Sequence, residues 1–212
     1  MSKPNPTVFI VDDDASVRDA LSLLLNAAGY EVQAFPSAES FLDSAGDRPV
    51  PACVVSDVKM PGLSGLELQD DVCVTKSPLP FVFITGHGDI PMSVKAMKKG
   101  AVDFLTKPFD DEQLLDAVKK ALKRDEESLA DLSEQEGIAR CLDTLTERER
   151  EVLTYLIAGM LNKQVAYELD IAERTVKAHR KRIIEKMKIG SIAELVRLTE
   201  KAGIQPVKTD QS

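Results

Sequence analysis

The chain has 212 residues, with 27 Lys and Arg against 35 Asp and Glu for a net charge of −8, so it is expected to form one large or two smaller domains. Hydrophobic residues at 43% and charged residues at 29% are globular proportions and exclude wholesale disorder. No apolar run nears the roughly 20 residues of a membrane helix. The opening MSKPNPTVFIVDDD has no long apolar signal region, and the odd cysteines at 53, 73 and 141 exclude a disulfide framework and a zinc site, so a reducing cytoplasm is expected.

The first 124 residues alternate short apolar runs with helical patterns. The runs Thr7–Val11, Glu31–Phe35, Ala52–Ser56, Phe81–Thr85 and Val102–Leu105 are rich in Val, Ile and Phe, and turn residues follow them. Between them lie amphipathic stretches such as Ala15–Ala28, where Val17, Leu21, Leu24 and Leu25 share one helical face. Five strand–helix units predict an α/β domain, a five-stranded parallel doubly wound sheet with helices on both faces. Ligands of such sheets bind at the carboxyl ends of the strands.

Beyond Asp110 the pattern is helical only. Leu114, Leu115, Val118 and Leu122 mark the last helix of the first domain. Residues 125–143 carry seven acids and one Arg and predict a helical linker, interrupted at Ser133 and Gly137. Thr146 and Glu149 form a capping box. Three further helices follow, at about Lys163–Leu169, Glu173–Lys188 and Ser191–Ala202, and Val207–Ser212 is expected to fray. The expected division is 6–124 for the first domain, 125–143 for the linker, 144–203 for an all-α four-helix domain and 204–212 for a tail.

The carboxylates fall where the sheet rule points. Asp12, Asp13 and Asp14 follow the first strand and Asp57 the third, while Thr85 and Lys107 end or follow the fourth and fifth. Each alone reads as a turn former or helix cap, and Asp14 fits the cap of the helix beginning at Ala15. Clustered carboxylates repel one another unless a cation compensates, and an open set of oxygens suits Mg²⁺.

The segments Val11-Asp12-Asp13, Val55 to Gly62, Ile84 to Gly88 and Phe104 to Phe109 resemble the receiver domain of two-component response regulators over about residues 6–124. The resemblance implies a CheY-like, flavodoxin-like fold. It implies that Asp57 is the phosphoacceptor for a sensor histidine kinase, and that Asp12, Asp13, Asp57 and the Lys59 backbone carbonyl hold Mg²⁺. Thr85 and Lys107 would bind the phosphoryl oxygens, Phe104 would be the switch aromatic, and Lys107-Pro108 would be cis. Phe104 reads equally as a core aromatic of the fifth strand. His87 reads as a solvated loop histidine, although in the family its position rims the phosphorylation site.

The chain's charge is uneven. Glu173–Lys188 holds seven Lys and Arg against two Glu, one locally positive helix in an acidic protein. Val165, Ala166, Leu169, Ile171, Val176, Ile183 and Ile184 can form a core that leaves Lys177, Arg180, Lys181 and Arg182 largely outside. Periodicity alone fits a helical protein-docking module nearly as well as a helix-turn-helix. Leu145 to Glu149 and Arg174 to Lys177, however, resemble the strongest motifs of the LuxR-type DNA-binding domain over about 143–203. This resemblance implies a recognition helix at Glu173–Met187, with Lys177, Ala178 and Lys181 facing bases or adjacent phosphates. Asn162, Lys163, Arg174 and Thr175 would touch the DNA backbone, and the last helix would dimerise. Ala172 departs from the family's frequent Ser and is a poor N-cap, worth about 1 kcal/mol less.

Together the two halves resemble the FixJ-like branch of response regulators: a transcription regulator, not an enzyme beyond its own phosphorylation and dephosphorylation. Expected partners are a sensor histidine kinase, double-stranded promoter DNA, RNA polymerase and, once phosphorylated, a second copy of the chain; no membrane is expected. Two rivals stand beside this reading. A Mg²⁺-dependent phosphatase of the haloacid-dehalogenase kind wants a second Asp two residues after the nucleophile, where Lys59 stands. A regulator that never uses phosphate would bind DNA equally with or without it.

Overall fold

The computed structural model describes residues 5–44, 51–73, 78–86 and 90–207. Five strands, β1 (Thr7–Val11), β2 (Glu31–Phe35), β3 (Ala52–Asp57), β4 (Phe81–Thr85) and β5 (Asp103–Thr106), pair in parallel in the order β2-β1-β3-β4-β5. β1 and β4 are buried along their whole length, and β3 in all but its last residue, Asp57. That is why they read as continuous apolar runs rather than as alternations. The order reverses at β1, whose two neighbours lie on opposite sides, so the carboxyl ends of β1 and β3 flank the switch point.

Alternate strand residues feed two cores. Phe9, Val11, Val54, Phe81 and Phe83 face α2 (Ala38–Ser44), α3 (Gly65–Cys73) and α4 (Ile90–Lys98) through Phe41, Leu68 and Ala96. Val8, Ile10, Cys53, Val55, Val82 and Ile84 face the other way, onto Leu21 and Leu25 of α1 (Ala15–Ala27) and Leu114, Val118 and Leu122 of α5 (Asp111–Asp143). Asp14 caps α1, its side chain accepting the Ser16 N–H at 2.8 Å. Cys53 and Cys141 are free, and burial pushes the Cys53 thiol up to about 12, too high for nucleophilic work at neutral pH.

α5 runs unbroken for 33 residues, through Ser133 and Gly137, where the sequence predicts an interruption. A helical glycine costs about 1 kcal/mol relative to alanine. Burial of Ile138 and Leu142, each worth roughly 1.5–3 kcal/mol, outweighs that cost. The chain divides into two compact units at Ala130/Asp131.

In the second unit, Ile138 and Leu142 join a core built from α6 (Glu147–Ile157), α7 (Asn162–Glu168), α8 (Glu173–Met187) and α9 (Ile192–Lys201). The capping box at Thr146 forms: Glu149 Oε2 accepts the Thr146 N–H at 2.9 Å and Thr146 Oγ1 accepts the Glu149 N–H at 3.3 Å. Val207, expected to fray, donates its N–H to the Thr154 carbonyl at 3.2 Å. Among the described residues no helix is long and apolar enough to cross a membrane.

Glu149 also accepts from Lys186 Nζ at 2.6 Å while almost wholly buried. That bond holds its carboxyl below the usual range despite the opposing effect of burial. A depressed folded pKa stabilises above the unfolded value, about 4.3, and the contribution fades as pH falls through the folded value. Glu149→Ala is therefore expected to destabilise the second unit by about 1–2 kcal/mol at pH 7, with the gap to wild type narrowing below pH 4. Urea melts followed by helical circular dichroism at both pH values measure it; an equal gap at both would contradict the assignment.

Candidate functional site

The carboxyl ends of the strands gather the acidic residues. Asp12 follows β1 and is fully buried, with its Oδ1 accepting the Asp14 N–H at 2.9 Å and its carbonyl accepting from Arg18 Nη1 at 2.7 Å. Asp57 closes β3, where Val58 N–H at 2.6 Å and Lys59 N–H at 3.3 Å both donate to its Oδ1. Backbone donors thus hold one carboxylate oxygen of Asp57 and leave the other facing the cluster. Oxygens of Asp12, Asp13 and Asp57 lie within 4.8 Å of one another, close enough to share one cation. A donor set of carboxylates is the chemistry of a hard, oxygen-ligated ion.

Lys107 arrives from the far end of the sheet. Its Nζ donates to Asp12 Oδ2 at 2.9 Å and reaches Asp57 Oδ2 at 3.5 Å. Burial lowers its pKa, but the bond and charge of Asp12, with those of Asp57, outweigh burial and raise it, so it stays cationic. The Lys107 N–H donates to the Thr85 carbonyl at 2.8 Å, tying the end of β4 to the residue after β5, and Lys107-Pro108 is cis.

Thr85 is buried at the end of β4, next to the Asp57–Ile84 pair of the β3–β4 ladder. The half-buried ring of Phe104 lies against Phe83, with centroids 6.4 Å apart. The Lys59 side chain is exposed. His87 lies outside the described residues. Two contributors carry no sequence signal. Arg18 pins the β1–α1 loop through a backbone carbonyl, and Gly65 packs so tightly that a Cβ there would sit 2.1 Å from the Asp57 carbonyl oxygen.

The second unit carries the other predicted group. α7 and α8 join through Leu169–Ala172, with Asp170 in the left-handed region at φ 49°. The α8 N-cap, Ala172, makes no side-chain cap bond, as its residue type requires. Val176, Ile183 and Met187 are buried, and Arg174, Lys177, Ala178, Lys181 and Arg182 are exposed. Arg180, expected to lie outside the core, is half-buried because its Nη1 donates to Asn162 Oδ1 at 3.3 Å across the two helices. Lys163 is exposed, and Thr175 is half-buried at the start of α8. Lys177 pairs with Glu173 at 2.9 Å and Lys181 with Glu185 at 3.8 Å. Asn162, Lys177, Arg180, Lys181, Ile184 and Glu185 line one shallow groove.

Residues 8–119 match the response regulator receiver domain family, and residues 143–199 match the bacterial regulatory proteins of the luxR family. The response regulator protein TmoT of Ectopseudomonas mendocina is 44% identical over 95% of this chain and 91% of its own length. The transcriptional regulatory protein FixJ of Bradyrhizobium diazoefficiens is 44% identical over 93% and 96%. Among solved structures, the response regulator StyR aligns with a TM-score of 0.81 at 47% identity, covering 93% of this chain and 99% of that one. Full-length FixJ from B. japonicum aligns with a TM-score of 0.57 at 42% identity, covering 95% and 98%.

Proposed function

We propose a phosphorylation switch at Asp57 on the premise that the chain belongs to the FixJ-like response regulators, transcription regulators of two-component systems that join a receiver domain to a LuxR-type DNA-binding domain. Membership implies a histidine kinase as the receiver's partner and DNA as that of the helix-turn-helix, and it places the chain among transcription regulators rather than catalysts. The proposed parts are a receiver at 6–124, a linker at 125–143, a DNA-binding domain at 144–203 and a tail at 204–212. The proposed compartment is the cytoplasm.

In this reading an Asp57 carboxylate oxygen bonds to the phosphorus of the kinase's phosphohistidine. The P–N bond breaks, and the imidazole leaves with the electron pair. Asp12, Asp13, Asp57 and the Lys59 carbonyl would hold Mg²⁺, which when bound supplies positive charge against the phosphoryl oxygens. Lys107 adds a second positive charge, and Thr85 donates its hydroxyl. The observation that carries the reading is Lys107 Nζ lying between Asp12 and Asp57, beside the third carboxylate of the cluster. A lysine already facing the nucleophile, beside carboxylates close enough to share a cation, matches a transfer that needs positioning and charge neutralisation above all.

The phosphoryl group then draws Thr85 inward, Phe104 follows, and the face of Ile90–Gly100 and Val102–Leu105 becomes a dimer surface. Ile90, Val94 and Met97 supply exposed apolar area there. A ligand shifts two states only through differential contacts, and here Thr85 and Lys107 make them. The dimer binds promoter DNA through α8, with Lys177, Ala178 and Lys181 at bases or adjacent phosphates. Asn162, Lys163, Arg174 and Thr175 contact the DNA backbone. RNA polymerase is the further partner at the promoter. Thr85→Val is expected to accept phosphate yet stay largely monomeric. Sedimentation of the phosphorylated variant tests the route, and dimerisation equal to wild type would refute it.

A further inference from the structure

We propose that Glu39 is a positioning residue for the cation site, steadying the β3–α3 loop that carries Lys59, whose carbonyl is a ligand in the Mg²⁺ reading above on which this rests. The loop leaves Asp57 and must return to α3 within seven residues. Its two ends are secured near the strand: the Val58 N–H donates to the Ile84 carbonyl at 3.3 Å, and the Gly65 N–H to the Val58 carbonyl at 3.1 Å. The start of α3 caps itself, since Ser64 gives both its N–H and its hydroxyl to Glu67, at 2.9 and 2.6 Å. The middle of the loop, residues 59–63, has two anchors beyond its bond to Asp57. Met60 is buried in the core, and the Leu63 N–H donates to Glu39 Oε1 at 3.0 Å. That bond ties the far side of the stretch to α2, while at its near side the Lys59 N–H donates to Asp57 Oδ1 at 3.3 Å.

The same carboxylate oxygen also meets the loop at Gly62. Gly62 adopts φ +77°, and a Cβ there would lie 2.6 Å from Glu39 Oε1. The loop therefore leaves room at Gly62 for this carboxylate, which reaches across from α2. The Leu63 bond draws the Glu39 carboxyl below its ordinary range, which keeps it an anionic acceptor at neutral pH. Lys59 stands four residues before the clamp, with the core anchor Met60, Pro61 and the positive-φ Gly62 between them. A metal ligand supplied by a backbone carbonyl has no side chain to aim it, so its direction depends on whatever fixes the loop.

The test uses the full-length protein and Mn²⁺ as the probe, free Mn²⁺ being counted by electron paramagnetic resonance. Glu39→Ala is expected to weaken Mn²⁺ binding by up to about tenfold, the lower end of what supporting residues contribute to metal affinity. It should raise the Mg²⁺ concentration for half-maximal labelling by acetyl phosphate while leaving the rate at saturating Mg²⁺ near wild type. Glu39→Gln, which keeps an oxygen acceptor for the Leu63 N–H, should bind as wild type does. Wild-type Mn²⁺ affinity in Glu39→Ala, or a lowered saturated rate with unchanged affinity, would overturn the proposal. Asp12→Asn serves as the control: if it too binds like wild type, the cation site itself has been misplaced, a failure distinct from that of Glu39.

Discussion

Incubated with acetyl phosphate and Mg²⁺, the protein should gain about 80 Da, one phosphoryl group, and Asp57→Ala should gain none. Of the three clustered carboxylates, Asp57 has one oxygen held by the Val58 and Lys59 N–H groups and the other facing Lys107 at 3.5 Å. Asp12 is instead committed, its Oδ1 to the Asp14 N–H and its Oδ2 to Lys107 at 2.9 Å, and it is fully buried. Asp57 alone combines partial exposure with a cationic neighbour held at a distance, the condition of a carboxylate poised for nucleophilic attack. Chelating Mg²⁺ should abolish labelling as completely as the substitution does, because an anionic donor cannot approach three carboxylates uncompensated. Intact-mass spectrometry separates the outcomes. A full-level label in Asp57→Ala would remove the phosphoacceptor assignment, and labelling that ignores chelation would remove the cation.

The second large effect is expected on DNA. A dimer with one α8 per subunit needs two half-sites in two-fold arrangement, about one helical turn apart, so that both helices enter the major groove on one face. Lys177 and Lys181 lie one turn apart on the exposed side of α8, opposite buried Val176 and Ile183. Both are paired with glutamates of their own helix, and DNA binding must break those pairs. Exposed i,i+4 pairs are worth about 0.3–0.5 kcal/mol, whereas a good base contact discriminates by about 1–3 kcal/mol, so the exchange favours DNA. Lys177→Ala should flatten discrimination at one operator position by that amount. Arg174→Ala should weaken all sequences alike and reduce the salt slope by about one. Titrations against operator and scrambled DNA at several salt concentrations distinguish them. Equal, sequence-independent losses would mean that α8 positions the protein and reads nothing.

How far the sequence foretells this structure depends on the kind of interaction. The strands were legible to within one residue at either end; β1, β3 and β4 are buried on both faces and so read as apolar runs, as in Val8–Val11 and Val54–Val55, whereas β2 and β5 are more exposed and were marked by the turn residues around them. The capping box at Thr146 and the cap at Asp14 were legible too, since each is a local bond between residues two or three apart. The continuity of α5 was not: Gly137 argues for a break on local propensity, and the decisive burial of Ile138 and Leu142 against α6–α9 is tertiary. Spacing alone could not bring Lys107 to Asp12, 95 residues away; the sheet rule gathered both at the carboxyl edge of the strands, and the family resemblance gave Lys107 its role there. Arg18 and Glu39 escaped for a related reason. Both are ordinary charged residues on helix surfaces, and their partners are backbone atoms that reach them only once the sheet is wound. Arg180 reads as one more basic surface residue until its bond to Asn162 draws it half under cover.

The central claim is that phosphate on Asp57 controls DNA binding, and one titration addresses it directly. Promoter DNA from upstream of the regulated gene is bound by the full-length protein with Mg²⁺, with and without acetyl phosphate, and by Asp57→Ala under the same conditions. Phosphorylated wild type is expected to bind about 5- to 150-fold more tightly than the unphosphorylated protein, the span of an ordinary coupling between sites, while Asp57→Ala shows one affinity throughout. A wild-type isotherm that does not move when the protein is fully phosphorylated would contradict the account and leave a DNA-binding protein that never uses its phosphate.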